Sequence, residues 1–435
     1  MGTGHFIPRM RSCLPWHGLR PNTAPFTLLR PILHRSVLPL LLHGQMLSQV
    51  QKYLMIDIVY ALLRKGIFLF ISALYTTVSC WQRLRHTRTF IYQHAACGDA
   101  APLLRRTTER LTTMTHPLDD LLARVPFAIL DGALASELEN RGCDLNDALW
   151  SARVLAEQPA LIAQVHRDYF DAGADIDISA SYQASLAGYA QAGINAERAR
   201  QLMAESATLL NQARQDYLDA HPDHTLPMLV AGSVGPYGAW LADGSEYVGN
   251  YTHDERTLKD FHRPRIAALL EEGVDILACE TIPMLAEAQA LTHLLEEEFP
   301  EATAWIAFSV QDDAHIADGT PIEECAIWLS QHPQIKAIGL NCTGMQHVEG
   351  MVKRLASATT LPIVIYPNAG EHYDPTDKRW YPCETAQSLG SHASLVQRWY
   401  AAGARIIGGC CRTTPNDTRT VAKVRQVLLD AETQR

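Results

Sequence analysis

The sequence lacks a hydrophobic run long enough to cross a lipid bilayer. Its one prominent apolar run, Gly66–Trp81, has 16 residues, whereas a transmembrane helix needs about 20. A secretory signal peptide would not normally begin so far into a chain. A membrane partner is therefore not expected, although a weak anchor in Gly66–Trp81 remains an alternative interpretation.

Sequence motifs for phosphate-bearing ligands are also missing. No Gly-x-Gly-x-x-Gly motif follows the first predicted strand, and no Gly-x-x-x-x-Gly-Lys-Ser/Thr motif occurs in the chain. The ten cysteines form no Cys-x-x-Cys pair and no recognisable disulfide framework. Scattered thiols of this kind are typical of a reducing compartment, so we expect a cytoplasmic protein.

Acidic residues are scarce in the first quarter of the chain. Residues 1–113 carry 14 Lys and Arg against 3 Asp and Glu, and the remaining residues carry 23 against 44. We therefore predict that residues 1–113 are a poorly structured extension, non-native if the start codon lies too far upstream. A membrane anchor or a targeting arm are the alternatives. Residues 114–435 would form the functional domain, and their acidic balance argues against a nucleic-acid partner.

Short apolar runs alternate with stretches of helical periodicity from Phe127 onward. This pattern is typical of a parallel sheet covered by helices on both faces. The predicted strands are Phe127–Leu130, Ala174–Ser179, Met228–Val234, Val274–Cys279, Ala304–Val310, Ala337–Leu340, Pro362–Tyr366 and Ala404–Ile407. The clearest helices are Pro159–Ala172, Ala196–Asp219, Thr257–Glu272, Met284–Glu298 and Ser394–Ala402. Eight strands in a body of this size predict a single (β/α)8 barrel of the TIM type. The missing nucleotide motifs argue against an open doubly wound sheet.

Three cysteines come directly after predicted strands. Cys342 follows the sixth strand, and Cys410 and Cys411 follow the eighth. Because reacting groups of such barrels lie at the C-terminal ends of the strands, we expect the three thiols to converge. Three thiolates could hold a zinc ion whose fourth position stays open, as in catalytic sites. A redox pair of Cys410 and Cys411 is the alternative, although neighbouring cysteines need unusual geometry to form a disulfide.

Two carboxylates, Asp131 and Glu280, end the first and fourth predicted strands. A single carboxylate at such a position usually caps a helix. Two of them opposite a thiolate-rich metal favour a cation pocket, as for the ammonium group of an amino acid. A zinc ion with three thiolates is a poor activator of water but suits a fourth sulfur. A thiol that coordinates zinc loses its proton, and the resulting thiolate can accept an alkyl group.

Over about residues 118–425, the chain resembles the homocysteine S-methyltransferase family. The motifs that carry the resemblance are Leu130–Leu138 (LDGALASEL), Ser181–Ala184 (SYQA), Gly232–Gly238 (GSVGPYG), Glu280–Thr281, Gly339–Cys342 (GLNC), Tyr366–Asn368 (YPN) and Gly408–Cys411 (GGCC). Two further segments, Ala239–Tyr247 and Gly370–Asp374, resemble the branch that uses S-methylmethionine as methyl donor. The acids of Asp175-Ile176-Asp177 depart from the apolar strand expected there, and they could point to solvent.

The resemblance implies a barrel with one zinc ion per chain, held by Cys342, Cys410 and Cys411. It implies that Asp131 and Glu280 bind the ammonium group of homocysteine, with the Gly132 backbone near its carboxylate. It also implies that Tyr182, Asn341 and Asn368 shape the pocket in which the donor's sulfonium meets the thiolate.

The implied reaction is zinc-dependent methyl transfer from S-methylmethionine to the thiol of L-homocysteine, giving methionine. S-adenosylmethionine is a second candidate donor. No catalytic side chain is required beyond the activated thiol, so His372 is better explained as a loop or donor-pocket residue than as a proton shuttle. The small-molecule partners would be homocysteine and S-methylmethionine, and the oligomeric state is open.

Several alternatives remain at this stage. Betaine could be the donor, or selenocysteine the acceptor. A barrel with another activity could carry a Cys410–Cys411 redox pair, or the chain could be a non-catalytic binding protein tethered through Gly66–Trp81. Residues 238–256 and 369–385 are candidate lids, because they are long connections for a barrel.

Overall fold

The computed structural model describes residues 116–143, 151–374, 379–382 and 388–433. All of them belong to one unit of the chain, Thr113–Arg435. The predicted extension, including Gly66–Trp81, lies outside the described residues, so its interpretation stays a prediction. In the described ranges, no helix combines the length and hydropathy that a membrane span requires.

Eight parallel strands form a closed ring. They are β1 (Ala128–Ile129), β2 (Ile176–Ile178), β3 (Leu229–Val234), β4 (Ile276–Ile282), β5 (Ala304–Phe308), β6 (Ile335–Asn341), β7 (Ile363–Tyr366) and β10 (Ala404–Ile407). Their order is β1-β10-β7-β6-β5-β4-β3-β2. A parallel bridge between Leu130 and Ile176 joins β1 to β2 and closes the ring. The predicted (β/α)8 barrel is confirmed.

Helices surround the ring and join its strands. The described helices are α1 (Pro117–Arg124), α2 (Leu134–Asn140), α3 (Ser151–Glu157), α4 (Pro159–Asp171), α5 (Leu186–Gln191), α6 (Ala196–Ala220), α7 (Tyr237–Leu241), α8 (Glu255–Glu271), α9 (Leu285–Glu298), α10 (Ile322–Leu329), α11 (Met345–Ala358), α12 (His392–Ala402) and α13 (Pro415–Thr433). Local sequence explains several helix ends. Asn195 and Asp254 accept hydrogen bonds from the backbone of the first turns of α6 and α8, which are cap interactions.

The interior of the barrel is filled by a cluster of alternating small and large side chains. Trp305 of β5 and Tyr366 of β7 are its largest strand residues, and the Trp305 indole N–H donates to the Tyr366 hydroxyl at 3.1 Å. Helix α1 adds Leu118 and Leu121 to the same cluster, and the neighbouring His116 ring bonds Thr303 just before β5. The N-terminal end of the barrel is therefore covered by α1, which leaves the C-terminal end for the chemistry.

Two features differ from the sequence-based prediction. Strand β4 continues through Glu280 to Ile282, because its pairing with β5 shifts register between Cys279 and Ile282. Thr281 within this irregularity has a φ of 57°. In addition, β8 (Glu371–Asp374) and β9 (Arg379–Pro382) form an antiparallel hairpin in the segment considered as a lid. This hairpin stands outside the barrel sheet, so the barrel pattern carried no signal for it.

Candidate metal and substrate site

The sulfur atoms of Cys342, Cys410 and Cys411 lie within 4.8 Å of one another. The Cys342–Cys411 distance is 3.5 Å, and the Cys410–Cys411 distance is 3.9 Å. A tetrahedral zinc ion with Zn–S bonds of about 2.3 Å separates its sulfur ligands by about 3.8 Å. The spacing of the three thiols and their soft donor atoms thus fit a zinc site with one open position.

Backbone hydrogen bonds at the C-terminal end of the barrel position the three thiols. The Cys342 amide donates to the Tyr366 carbonyl at 3.1 Å, and the Cys410 amide donates to the Pro367 carbonyl at 2.8 Å. Strand β7 lies between β6 and β10, so the end of one strand holds the cysteines of both neighbours. Cys342 has a φ of 51°, a conformation uncommon for residues other than glycine.

Of the three thiols, Cys342 loses its proton most readily. Hydrogen bonds from Cys410 and Cys411 hold the pKa of the Cys342 thiol well below its ordinary value. The same contact raises the pKa of Cys410, because a second thiolate would form next to the first. The Tyr247 hydroxyl lies 3.1 Å from the Cys342 sulfur and adds a further donor to it. A divalent cation would remove the repulsion that keeps the other two thiols protonated.

Asp131 follows β1 and is 4% exposed. One of its oxygens accepts a hydrogen bond from the Ile178 amide at 2.9 Å. Burial, followed by the neighbouring Asp177, raises the pKa of Asp131 well above its ordinary value. A buried carboxyl in this condition favours a cation as its partner, since a positive charge restores the ionised form.

Asp177 makes a buried contact with His166 that the sequence analysis did not predict. The side chain does not point to solvent but is fully buried, and its carboxyl lies 3.1 Å from the His166 ring. Burial raises the pKa of Asp177 to about 7 and lowers that of His166 to about 4. At neutral pH His166 is therefore uncharged, and it contacts Asp177, the carboxyl next to Asp131. An acid inside an apolar strand, and a histidine on the buried face of α4, were the available signals.

Glu280 of β4 is the second buried carboxyl of the site, 7% exposed. The Ser233 hydroxyl donates a hydrogen bond to it. Burial is the largest of the effects that raise the pKa of Glu280 to about 8, and the charges of Asp131 and Cys342 add to it. The predicted carboxylates therefore act on each other electrostatically, as members of one pocket would.

Asn341, at the end of β6, is hydrogen-bonded to the residue that follows Glu280. The Thr281 amide donates to its side-chain oxygen at 2.7 Å, and its side-chain nitrogen donates to the Thr281 hydroxyl at 2.9 Å. Both bonds hold the left-handed backbone of Thr281, directly after Glu280. The geometry thus makes Asn341 a support for the Glu280 segment of β4.

Three further predicted residues lie at the same end of the barrel. The backbone carbonyl of Tyr182 accepts a hydrogen bond from the buried Arg265 guanidinium at 2.7 Å. Asn368 is buried, and its side-chain oxygen has no hydrogen-bond partner among the described residues. A Cβ on Gly132 would lie 2.8 Å from the Thr413 hydroxyl and 2.9 Å from that of Tyr169, so only glycine fits there. An orphaned buried oxygen such as that of Asn368 is expected where a ligand binds. The structure describes His372 only as part of β8.

Comparison with known proteins gives one consistent result. The family model described as homocysteine S-methyltransferase matches residues 128–425. The chain belongs to the homocysteine S-methyltransferase family. It is 50% identical over 309 residues to the homocysteine S-methyltransferase YbgG of Bacillus subtilis, an alignment covering 71% of this chain and 97% of that protein. The predicted family and enzyme class, a methyltransferase, are confirmed.

Two other relatives bear on substrate and metal. The selenocysteine Se-methyltransferase of Brassica oleracea var. italica is 44% identical over 306 residues, which is 68% of this chain and 88% of that protein. The metallated form of the homocysteine methyltransferase MmuM from Escherichia coli superposes with a TM-score of 0.64 at 45% identity, covering 71% of this chain and 99% of that structure. The two relatives differ in the acceptor that their names state.

Proposed function

We propose that this protein transfers a methyl group from S-methylmethionine to the thiol of L-homocysteine, with a zinc ion held by Cys342, Cys410 and Cys411. The convergence of the three sulfurs within 4.8 Å carries the proposal. The existence of a metallated form of a 45% identical relative supports a metal in this chain as well. S-adenosylmethionine remains a second candidate donor.

The bound metal supplies one kind of chemistry, because a thiol that coordinates zinc is a thiolate at neutral pH. The residues of the chain do the rest by positioning. Asp131 and Glu280 hold the ammonium group of homocysteine, whose positive charge matches the buried carboxyls. The backbone of Gly132, the residue after Asp131, would then lie near the substrate carboxylate.

Methyl transfer then requires no acid or base from the protein. The homocysteine sulfur forms a bond to the methyl carbon, and the bond from that carbon to the donor's sulfonium sulfur breaks. The electron pair of the broken bond stays on the donor sulfur, which leaves as the neutral thioether of methionine. The acceptor also becomes methionine, and its thiol proton has left for solvent before the transfer. Tyr182 and Asn368 line the pocket in which the two sulfurs meet.

Two other functions have specific support. A selenocysteine acceptor is favoured by the 44% identical selenocysteine Se-methyltransferase, and the same carboxyl pair would bind its ammonium group. A redox pair is compatible with the 3.9 Å between the Cys410 and Cys411 sulfurs, which are both free thiols. The two functions differ in metal content, since a redox pair needs no zinc.

The deciding experiment uses the full chain purified without chelator. We expect about one zinc ion per chain, and methionine formation from homocysteine and S-methylmethionine. Cys410→Ala should lose both zinc and activity, whereas Cys143→Ala should retain both, because Cys143 lies at the end of α2 outside the cluster. Zinc without activity would redirect the proposal to betaine or S-adenosylmethionine as donor, or to selenocysteine as acceptor. A metal-free chain with unchanged turnover in Cys410→Ala would overturn it.

A further inference from the structure

A short segment between α7 and α8 brings another acidic side chain to the site. Its 3-10 helix, Ser245–Tyr247, follows the left-handed residue Gly244. Tyr247 contacts the Cys342 sulfur at 3.1 Å, and the Glu246 carbonyl accepts a hydrogen bond from the Ser309 hydroxyl at 2.6 Å. These contacts fix Glu246 beside the cysteine cluster from the side of β5 and β6.

The carboxyl of Glu246 is hydrogen-bonded to its own backbone amide but to no other side chain among the described residues. Its Oε2 atom is shielded from solvent and receives no hydrogen bond from the described residues. Burial raises the pKa of Glu246 to about 7, and the nearby charge of Cys342 adds to the effect. A carboxylate oxygen without a donor in such a place is unfavourable unless a cation or a hydrogen-bond donor arrives with a ligand.

Glu246 is set apart from the carboxyls assigned to homocysteine. The Tyr182 hydroxyl senses the charges of both Glu246 and Glu280, and the influence of Glu246 is the larger. Tyr182 is therefore near two acidic positions, one on β4 and one on the 3-10 helix. Glu246 is thus an acidic side chain beyond the two that are assigned to the ammonium group of homocysteine.

We infer that Glu246 binds the ammonium group of the methyl donor. This inference rests on the proposed function, in which the donor is an amino acid with a sulfonium side chain. The donor then carries two positive charges. Its sulfonium loses its charge when the methyl group leaves, whereas its ammonium group keeps the charge throughout.

Because the charge of the ammonium group does not change during the reaction, the loss of Glu246 should affect KM rather than kcat. An interaction of equal strength in the ground state and the transition state changes KM and leaves kcat alone. A carboxylate beside the sulfonium itself would behave differently, since it would stabilise the ground state against the reaction. Glu246→Gln should therefore raise the KM for S-methylmethionine by on the order of 10- to 100-fold, with kcat changed less than about threefold.

The test compares two donors in the full-length, zinc-loaded protein. The first is S-methylmethionine, and the second is its deaminated analogue, a carboxypropyl dimethylsulfonium. The parent protein should prefer the first by kcat/KM, and Glu246→Gln should lose most of that preference. Glu246→Asp, which keeps the charge on a shorter side chain, should recover part of it. Asp243→Asn is the matched control, because it removes an exposed charge from the same segment and keeps the oxygen that accepts from Ser245.

The possible outcomes separate the two proposals. A parent protein that cannot use S-methylmethionine overturns the proposed function and the inference with it. A parent that is active, with an unchanged donor preference in Glu246→Gln, overturns the inference alone. Loss of zinc or a raised KM for homocysteine in Glu246→Gln would also overturn it, since Glu246 would then support the cysteines instead.

Discussion

The protonation of Glu280 is governed by its burial before any substrate arrives. Its carboxyl is hydrogen-bonded to the hydroxyls of Ser233 and Tyr366 and contacts no cation among the described residues. The substrate-free site is therefore poised to exchange a proton for an ammonium group. A consequence for stability follows from the same shift, because the unfolded chain exposes this carboxyl to water.

We predict that Glu280 makes the zinc-free protein less stable as the pH rises from about 5 to about 8. The pKa of Glu280 lies at about 8 in the folded protein, against an ordinary value of 4.5. Between these values the folded state keeps a proton that the unfolded state has lost, so rising pH favours unfolding. With about 1.4 kcal/mol per pKa unit, the loss is at most about 5 kcal/mol.

Urea unfolding at several pH values measures this contribution. Glu280→Gln keeps the shape of the side chain and should flatten the fall in the free energy of unfolding between pH 5 and pH 8. Glu139→Gln, an exposed position on α2, should retain the slope of the parent. Parallel slopes in the parent and Glu280→Gln would show that the carboxyl ionises freely in the folded protein.

The proposed zinc ligands and substrate-binding carboxyls could be predicted from the sequence more easily than the residues that support them. Cys342, Glu280 and Cys410 lie at the ends of apolar runs, and chain order alone brings such ends to one face of a barrel. Ser233 and His166 act through contacts across neighbouring elements. A serine within an apolar run is ordinary in sequence, and its meaning depends on which carboxyl the fold places opposite.

Among the elements, strands β6 and β7 approach each other unusually closely next to the cysteine site. A Cβ on Gly339 would lie 1.6 Å from the Val364 carbonyl oxygen, which no side-chain adjustment can relieve. Gly339 also precedes Asn341 and Cys342 by two and three residues. The close packing of β6 against β7 therefore determines the position of Cys342.

Gly339→Ala should separate β6 from β7 and lower the free energy of unfolding by on the order of 4 kcal/mol or more. The displacement should also reduce the zinc content, because Cys342 moves with the end of β6. Gly350→Ala is the control on the neighbouring helix α11, where the nearest atom to an added Cβ lies 3.4 Å away. That change should be neutral or slightly stabilising, since alanine is the better helix residue. Equal stability of the two variants would contradict the argument.

The strands and helices of the repeated β/α units could be predicted from the sequence. The elements outside that repeat were missed. Glycines at 173, 273 and 403 have φ values of 102°, 74° and 129° and follow helices, as the sequence indicated. The eight strands followed from their apolar runs. The β8–β9 hairpin has a polar sequence and its two strands pair with each other, and the extension of β4 follows a shift of register against β5. Neither has a local apolar pattern by which sequence alone could reveal it.

For the whole molecule, the question is how much of the chain the activity needs. The family match and the barrel fall within residues 113–435. Nearly the whole length of the Bacillus subtilis relative aligns with only 71% of this chain. All three cysteines and both proposed site carboxyls lie within residues 128–425, which the family model matches. Residues 1–113 therefore have no assigned part in the proposed reaction.

A chain that begins at Met114 should bind zinc and form methionine with the same kcat/KM as the full chain, within about threefold. A chain that begins at Val125 is the control, because it also removes Leu118 and Leu121 of α1, which are fully buried against the barrel interior. Burial of each such side chain contributes about 1.5–3 kcal/mol, so the shorter chain should unfold more readily. Activity lost already in the Met114 variant would instead favour a functional role for the basic segment, as in a tethered binding protein.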